Sequence, residues 1–287
     1  MKTLNSLADN PDKLSARLKA REITKLLFIE DASDIDIEAI AVERGVIVVE
    51  GALTGAEGRL TVLGSKGLIT VKNNILELGK KRFIIAHELG HFELHRTKIP
   101  TISCSNMDFH EWHARKPFEV EANYFAAELL MPEHIFKGKT DGKALSKSLI
   151  ELLSREFQTS LTATSIRFVT LRTEYALVCS EKLAIKWFVV GEEFPYKLNV
   201  LGKLHPSSIA YDFFKGDGLP NKFLRVTEDA WIDDYKFNTN DKVMEMAIAL
   251  PSYNQVLSFI YVDSDDDNDY NRDDYYKEID GHLRFHK

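Results

Sequence analysis

The chain has 287 residues, enough for two ordinary domains or for one large domain with an appendage. Hydrophobic residues make up 44%, charged residues 28% and aromatic residues 10% of the sequence, which excludes the collagen-like, coiled-coil and wholly disordered classes. The net charge is −7, of which the last 25 residues carry −5, so the rest of the chain is nearly neutral and gives no electrostatic basis for direct nucleic-acid binding.

The N-terminal segment has no apolar core of the length that a secretory signal needs, and the two cysteines lie far apart in unrelated segments. Apolar runs elsewhere are much shorter than the ~20 residues of a membrane helix. We therefore expect a cytoplasmic protein with no membrane role. Residues 263–287 are expected to form a solvated acidic tail.

Two helices and a small sheet are predicted at the start of the chain. Residues 11–28 have apolar side chains at helical spacing, and a second helix begins after Asp34 or Asp36. Three short β segments follow, at residues 46–49, 59–63 and 67–71. A Gly-Ser-Lys-Gly turn joins the last two, which predicts an antiparallel sheet.

Two long helices follow, over residues 80–95 and 116–131, the second with Pro117 near its first turn and an end before Pro132. Residues 144–173 then predict two shorter helices, paired like a helix-turn-helix.

After residue 174 the pattern changes to short β segments, which predict two hairpins. These are residues 175–179 with 184–190, and residues 244–250 with 256–262. The predicted organisation is an N-terminal α+β domain (1–174), a C-terminal α+β domain (175–262) and the acidic tail.

Residues 87–91 read His-Glu-Leu-Gly-His, an H-E-x-x-H pattern inside a segment predicted to be helical. Histidines four residues apart share one helical face, so His87 and His91 can reach a single metal ion. Glu88 is turned far enough to act as general base on a metal-bound water. The alternative is a pair of ordinary surface histidines, which the apolar flanking residues disfavour.

A catalytic zinc site needs a third protein ligand. His95 continues the series, but residues eight apart on a helix lie about 12 Å apart along its axis, too far for His87 and His95 to share an ion, so His95 is expected to be structural. We expect Glu119 of the second long helix to be the third ligand, with Glu121 as the alternative. Asn123, four residues after Glu119, is expected to hydrogen-bond a ligand.

Hydrolysis also needs a group that stabilises an oxyanion, for which Tyr124, His110 and His113 are candidates that the sequence does not separate. Residues 101–114 join the two long helices and are expected to form part of the cleft rim. Cys104 in this segment is a weaker alternative as a zinc ligand.

The segments RFIIAHELGHFELH (82–95) and FEVEANYFAAELLMP (118–132) resemble the ImmA/IrrE family of zinc metallopeptidases. The resemblance covers roughly residues 10–173 and implies a zincin-like fold. It also implies zinc ligands at His87, His91 and Glu119, and a general base at Glu88. Some family members carry a C-terminal domain resembling a GAF fold, and the two hairpins fit such a sensor or substrate-selection module.

The resemblance implies a zinc endopeptidase that cleaves a helix-turn-helix transcriptional repressor in a stress or mobile-element response. The residues alone indicate a metal-dependent hydrolase with a peptide as the favoured substrate. The alternative function is a non-cleaving, zinc-containing regulator that sequesters its partner. DNA binding by residues 144–173 is disfavoured because Arg167 and Arg172 lie near the C-terminal half of the second helix. The oligomeric state is left open.

Overall fold

The computed structural model describes residues 11–97, 101–104, 117–200, 202–264 and 284–285, with the backbone alone at 101–104 and 284–285. In these ranges the chain forms eight α-helices and ten β-strands. The helices are α1 (Lys13–Leu26), α2 (Ile37–Glu43), α3 (Leu78–His95), α4 (Pro117–Leu130), α5 (Glu133–Thr140), α6 (Lys147–Glu156), α7 (Leu161–Leu171) and α8 (Ile209–Lys215). The strands are β1 (Val46–Gly51), β2 (Gly58–Leu63), β3 (Lys66–Lys72), β4 (Thr101–Cys104), β5 (Ala176–Glu181), β6 (Ala184–Val190), β7 (Leu224–Val226), β8 (Lys242–Leu250), β9 (Gln255–Asp263) and β10 (Arg284–Phe285).

The chain divides into two compact units. The first comprises Met1–Lys143 and Leu152–Ala163, and the second comprises Ala144–Glu151 and Thr164–Lys287. Most of α7 therefore groups with the second unit, whereas the sequence placed the division near residue 174. The assignment of separate functions to the two parts of the chain stays a prediction.

The first unit contains a four-stranded sheet with the order β1-β3-β2-β4. β2 is antiparallel to both neighbours, and Gly64 in the tight β2–β3 turn has a φ of 64°, a conformation that glycine adopts without steric cost. β1 instead runs parallel to β3, so the sheet is mixed where the sequence pattern predicted an antiparallel one.

Helix α3 packs on β2 and β3 and also against α4, while α4 packs against α1. The inward residues of the sheet, such as Leu60 and Ile69, are completely buried, as are Ile84 and Phe92 on α3. Because α3 is covered by a sheet and by a helix, its central residues are apolar almost all round, except where the H-E-x-x-H motif places polar groups.

The second unit contains a six-stranded antiparallel sheet with the order β10-β6-β5-β9-β8-β7. Val178 and Ile260 belong to the core cluster of this unit, and the alternate residues Leu177 and Phe259 are equally buried. Phe168 of α7 contacts Phe259 edge-on, with ring centroids 6.4 Å apart. The central strands are therefore covered on both faces, which explains their continuous apolar runs.

The predicted α+β class, with the H-E-x-x-H helix on a small sheet, is confirmed. The sequence pattern missed α5 and α8, which are too short to show a clear helical period. The GAF-like character of the C-terminal part stays a prediction. Among the described residues, no helix has the length and apolar content needed to cross a membrane.

Candidate metal centre

Helix α3 places His87 and His91 one turn apart on the side that contacts α4. Both side chains are fully buried, and their rings meet edge to face with centroids 4.6 Å apart. A buried pair of imidazoles needs polar partners, because water cannot satisfy its ring nitrogens.

Gly90, between the two histidines, allows α4 to come close. A Cβ atom at this position would lie 3.0 Å from Phe125 Cδ1 and 3.2 Å from Ala122 Cα. Since the second of these atoms belongs to the backbone, a side chain at Gly90 would push the two helices apart. The glycine inside the motif therefore supports the short spacing that brings α4 side chains to the histidines.

Glu119 on α4 completes a cluster of three potential ligands. The Nε2 atoms of His87 and His91 are 3.0 Å apart, and Glu119 Oε2 lies 3.1 Å from the first and 3.2 Å from the second. A tetrahedral zinc with ligand bonds of 2.0–2.1 Å separates its ligand atoms by about 3.3 Å. The three atoms thus fit around one such ion with only small movements, and the donor set of two imidazoles and one carboxylate suits zinc.

The protonation states of His91 and Glu119 also suit a metal ion. Burial lowers the pKa of His91 to about 4, so its ring is neutral near pH 7. Burial alone raises the pKa of Glu119, but its hydrogen bonds with the two histidines outweigh burial and hold that pKa below its usual range. Neutral imidazoles and an ionised carboxylate are the forms that bind metal.

The Nδ1 atoms of His87 and His91 also lie within hydrogen-bonding distance of a polar side chain. Asn123 Oδ1 lies 2.8 Å from His87 Nδ1, so a His87 ring that binds a metal ion through Nε2 can donate its Nδ1–H to this oxygen. That His87 is a ligand and that Asn123 supports it stay predictions.

His91 is supported by a longer chain of hydrogen bonds. Its Nδ1 lies 3.1 Å from His95 Nδ1, and His95 Nε2 lies 2.7 Å from Glu121 Oε2. If His91 Nε2 binds a metal ion, then His91 Nδ1–H donates to His95, and His95 Nε2–H donates to Glu121. The other Glu121 oxygen accepts from the backbone N–H of Asp12, 2.8 Å away, just before α1.

The structure therefore gives His95 and Glu121 a definite location: both lie next to the metal-ligand cluster rather than in it. Sequence reasoning treated His95 as structural and did not connect it with Glu121. The spacing of four residues between His91 and His95 was the available signal.

Glu88 is fully buried on α3, and its side chain lies against the sheet at Gly58, the first residue of β2. It therefore extends from a different side of the helix than the two histidines, which contact α4. Glu88 is not one of the three clustered ligand groups, and its role as general base stays a prediction.

Of the remaining predicted site residues, the structure describes the side chain of Tyr124 only. Tyr124 is buried on α4, with its ring 5.3 Å from Lys13 Nζ and 4.9 Å from Arg17 Cζ of α1, so it is directed to α1. His110 and His113 lie outside the described residues, as does the side chain of Cys104. The choice of oxyanion stabiliser stays a prediction.

Comparison with known proteins agrees with this site. The Peptidase_M78 family model, described as the IrrE N-terminal-like domain, matches residues 43–168. The chain is 37% identical over 65 residues to the uncharacterized immunity region protein 2 of Bacillus phage phi105, an alignment that covers 23% of this chain and 39% of that protein. The chain thus spans well under half the length of this curated relative.

A solved structure, a Mycobacterium tuberculosis transcriptional regulator, is similar with a TM-score of 0.52 at 16% sequence identity. The superposition covers 86% of this chain and 88% of that chain, so the similarity of fold extends beyond the metal-binding part. The matched family segment contains the motif helix, Glu119 and the helices that follow. Residues 43–168 are therefore similar to the Peptidase_M78 family, which supports the resemblance to ImmA/IrrE proteins for this part of the chain.

Proposed function

We propose that the protein is a zinc-dependent endopeptidase that cleaves a specific protein, a helix-turn-helix transcriptional repressor. The observation that carries the proposal is the buried triangle of ligand atoms from His87, His91 and Glu119, together with the buried side chain of Glu88, the residue that follows His87. This set would supply three ligands and a base, and it lies within the segment that matches a peptidase family.

His87, His91 and Glu119 would hold the zinc ion, and the network around them would fix the orientation of the two rings. A bound zinc supplies Lewis acidity and lowers the pKa of water in the open position. One carboxylate and two neutral imidazoles leave a net positive charge at such a centre, which favours a developing oxyanion on the scissile carbonyl.

The Glu88 carboxylate would accept a proton from the attacking water and then deliver it to the leaving amine. Its position on α3, one residue after a ligand, keeps it within reach of the cluster without making it a ligand itself. A positioned general base contributes roughly 10²–10⁴-fold to turnover.

The names of two similar proteins support a repressor as the substrate. The phage relative is named for an immunity region, and the structural neighbour is named a transcriptional regulator. Direct DNA binding is not proposed for this chain: Arg167 of α7 is only 4% exposed, and Arg172 donates to Glu174 at 2.8 Å. We assign substrate selection or signal sensing to the C-terminal part of the chain, residues 175–262.

A trap experiment tests the proposal. Glu88→Gln should retain zinc and hold the partner uncut, so affinity purification of this variant from cells followed by mass spectrometry identifies the bound protein. The zinc-loaded wild type should then cleave that protein, and Glu88→Gln should be slower by roughly 10²–10⁴-fold. Glu77→Gln, at the exposed start of α3, is the matched control and should cleave normally.

The same experiment distinguishes the proposed peptidase from the alternative, a regulator that sequesters its partner without cleaving it. A protein that sequesters its partner would bind it stoichiometrically and yield no fragments in either variant. Equal cleavage by wild type and Glu88→Gln would remove Glu88 from the role of base.

A further inference from the structure

Gly58, the first residue of β2, lies against the carboxylate of Glu88. An ideal Cβ atom at Gly58 would lie 2.5 Å from Glu88 Oε1, 3.1 Å from Glu88 Cγ and 2.7 Å from Ile84 Cγ2. Non-bonded carbon atoms prefer separations of about 3.5–4.0 Å, so a side chain cannot occupy this position unless something moves. The space that a methyl group would fill is already taken by the side chains of Glu88 and Ile84.

Backbone conformation does not explain this glycine. Gly58 is absent from the residues with positive φ, and it lies in regular pairing with Val71 of β3 and Cys104 of β4. A glycine inside a sheet weakens the strand and often marks a close approach of another group. Here the approaching groups are the side chains of Glu88 and Ile84, with an atom of Glu88 nearest.

Neither backbone can easily withdraw. β2 is held between two neighbouring strands, and α3 is held by completely buried residues such as Ile84 and Leu89. The most movable group at the contact is the Glu88 side chain. An added methyl group would therefore shift the carboxylate first.

We propose that Gly58 is a positioning residue, whose bare backbone sets where the Glu88 carboxylate lies. The inference rests on the proposed function, in which Glu88 is the general base. Gly58 lies on the sheet side of α3, whereas His87, His91 and Glu119 meet on the α4 side. A methyl group at position 58 should displace the base and leave the metal ligands in place.

Gly67 of β3 provides a matched control. A Cβ atom there would lie 2.9 Å from Phe92 Cδ2 and 3.1 Å from Val46 Cγ2. It would thus crowd the same helix from the same sheet, but against apolar atoms instead of Glu88. Gly67→Ala and Gly58→Ala should both cost packing energy, and only the second should involve the base.

The first test measures unfolding and needs no substrate. Overpacking of this kind lowers the midpoint of thermal unfolding by roughly 3–10 °C. Gly58→Ala should lower it clearly less in a Glu88→Ala background than in the wild type, because the carboxylate that it meets has gone. Gly67→Ala should cause the same drop in both backgrounds.

Equal drops for Gly58→Ala in the two backgrounds would overturn the proposal. If Gly58→Ala alone does not fold, recovery of a folded Gly58→Ala/Glu88→Ala protein supports the contact, and failure of both overturns it. This result is independent of cleavage, so it stands even if the proposed peptidase activity is not found.

The second test uses the zinc-loaded protein and the cleaved partner. Gly58→Ala should keep its full zinc content and its KM, while kcat falls by at least about tenfold. The fall should not exceed the roughly 10²–10⁴-fold that a general base contributes in total. In the Glu88→Gln background it should cause no further loss. A Gly58→Ala enzyme with the kcat of Gly67→Ala would overturn the proposal, whereas an inactive wild type would count against the proposed function alone.

Discussion

Replacing His95 by Ala should weaken metal binding without removing the site. In the structure His95 Nδ1 lies 3.1 Å from His91 Nδ1 and His95 Nε2 lies 2.7 Å from Glu121 Oε2, but the His95 ring is not one of the three ligand groups. The substitution therefore removes the group that orients one ligand and keeps every ligand.

The size of the effect follows from the hydrogen bond that is lost. Loss of a group that orients a metal ligand typically costs 10–100-fold in metal affinity, or about 1.4–2.7 kcal/mol. The buried donor left on His91 Nδ1 costs about 1–3 kcal/mol by an independent argument, which is the same range. We therefore expect a zinc Kd about 10–100-fold higher for His95→Ala.

Competition against a zinc-binding dye gives the Kd, and metal analysis of the purified protein gives the stoichiometry. The wild type and His95→Ala should both bind one zinc per chain, and His91→Ala should lose tight binding. Asn123→Ala is a matched variant because it removes the corresponding acceptor from His87, 2.8 Å away, and it should cause a similar loss.

Two results would refute this reasoning. A His95→Ala protein that no longer held zinc would make His95 a ligand itself. A Kd within twofold of the wild type would mean that the hydrogen bond between the two rings does not orient His91.

Three further outcomes follow from the packing. Gly90→Ala should force α4 away from α3 and reduce zinc affinity through Glu119, measured by the same dye competition, and unchanged affinity would show that the helix spacing is not limiting. Glu245 accepts four hydrogen bonds in the core of the second unit, so Glu245→Gln should destabilise the protein by about 2–5 kcal/mol in denaturant unfolding with no loss of zinc, and an unchanged midpoint would contradict this. Burial raises the pKa of Cys179 to about 12, so in a Cys104→Ser background its thiol should react with a disulfide reagent at pH 8 only after unfolding.

The motif histidines show how much the sequence can determine alone. A spacing of four residues on a helix fixes His87 and His91 on one face by local geometry, whatever surrounds the helix. The apolar residues around them predicted a buried helix, and the structure buries it.

The positions of Glu119 and Glu121 required the tertiary structure. Residues two apart on a helix point to nearly opposite sides, but the sequence does not say which side faces α3. The structure places Glu119 at the two histidines and Glu121 on His95. The rotation of α4 is set by packing, including the approach that Gly90 allows.

The strand order of the first sheet also required the tertiary structure. Alternating apolar residues predicted strands, but strand order and direction depend on pairings between distant segments, so the parallel β1–β3 pair was not predictable. Gly58 appeared only as one of 15 glycines in the chain. Its contact with Glu88 joins residues thirty positions apart, and an absent side chain leaves no pattern in a sequence. Only the packing of α3 on the sheet shows that the Glu88 side chain occupies the space where a side chain at position 58 would lie.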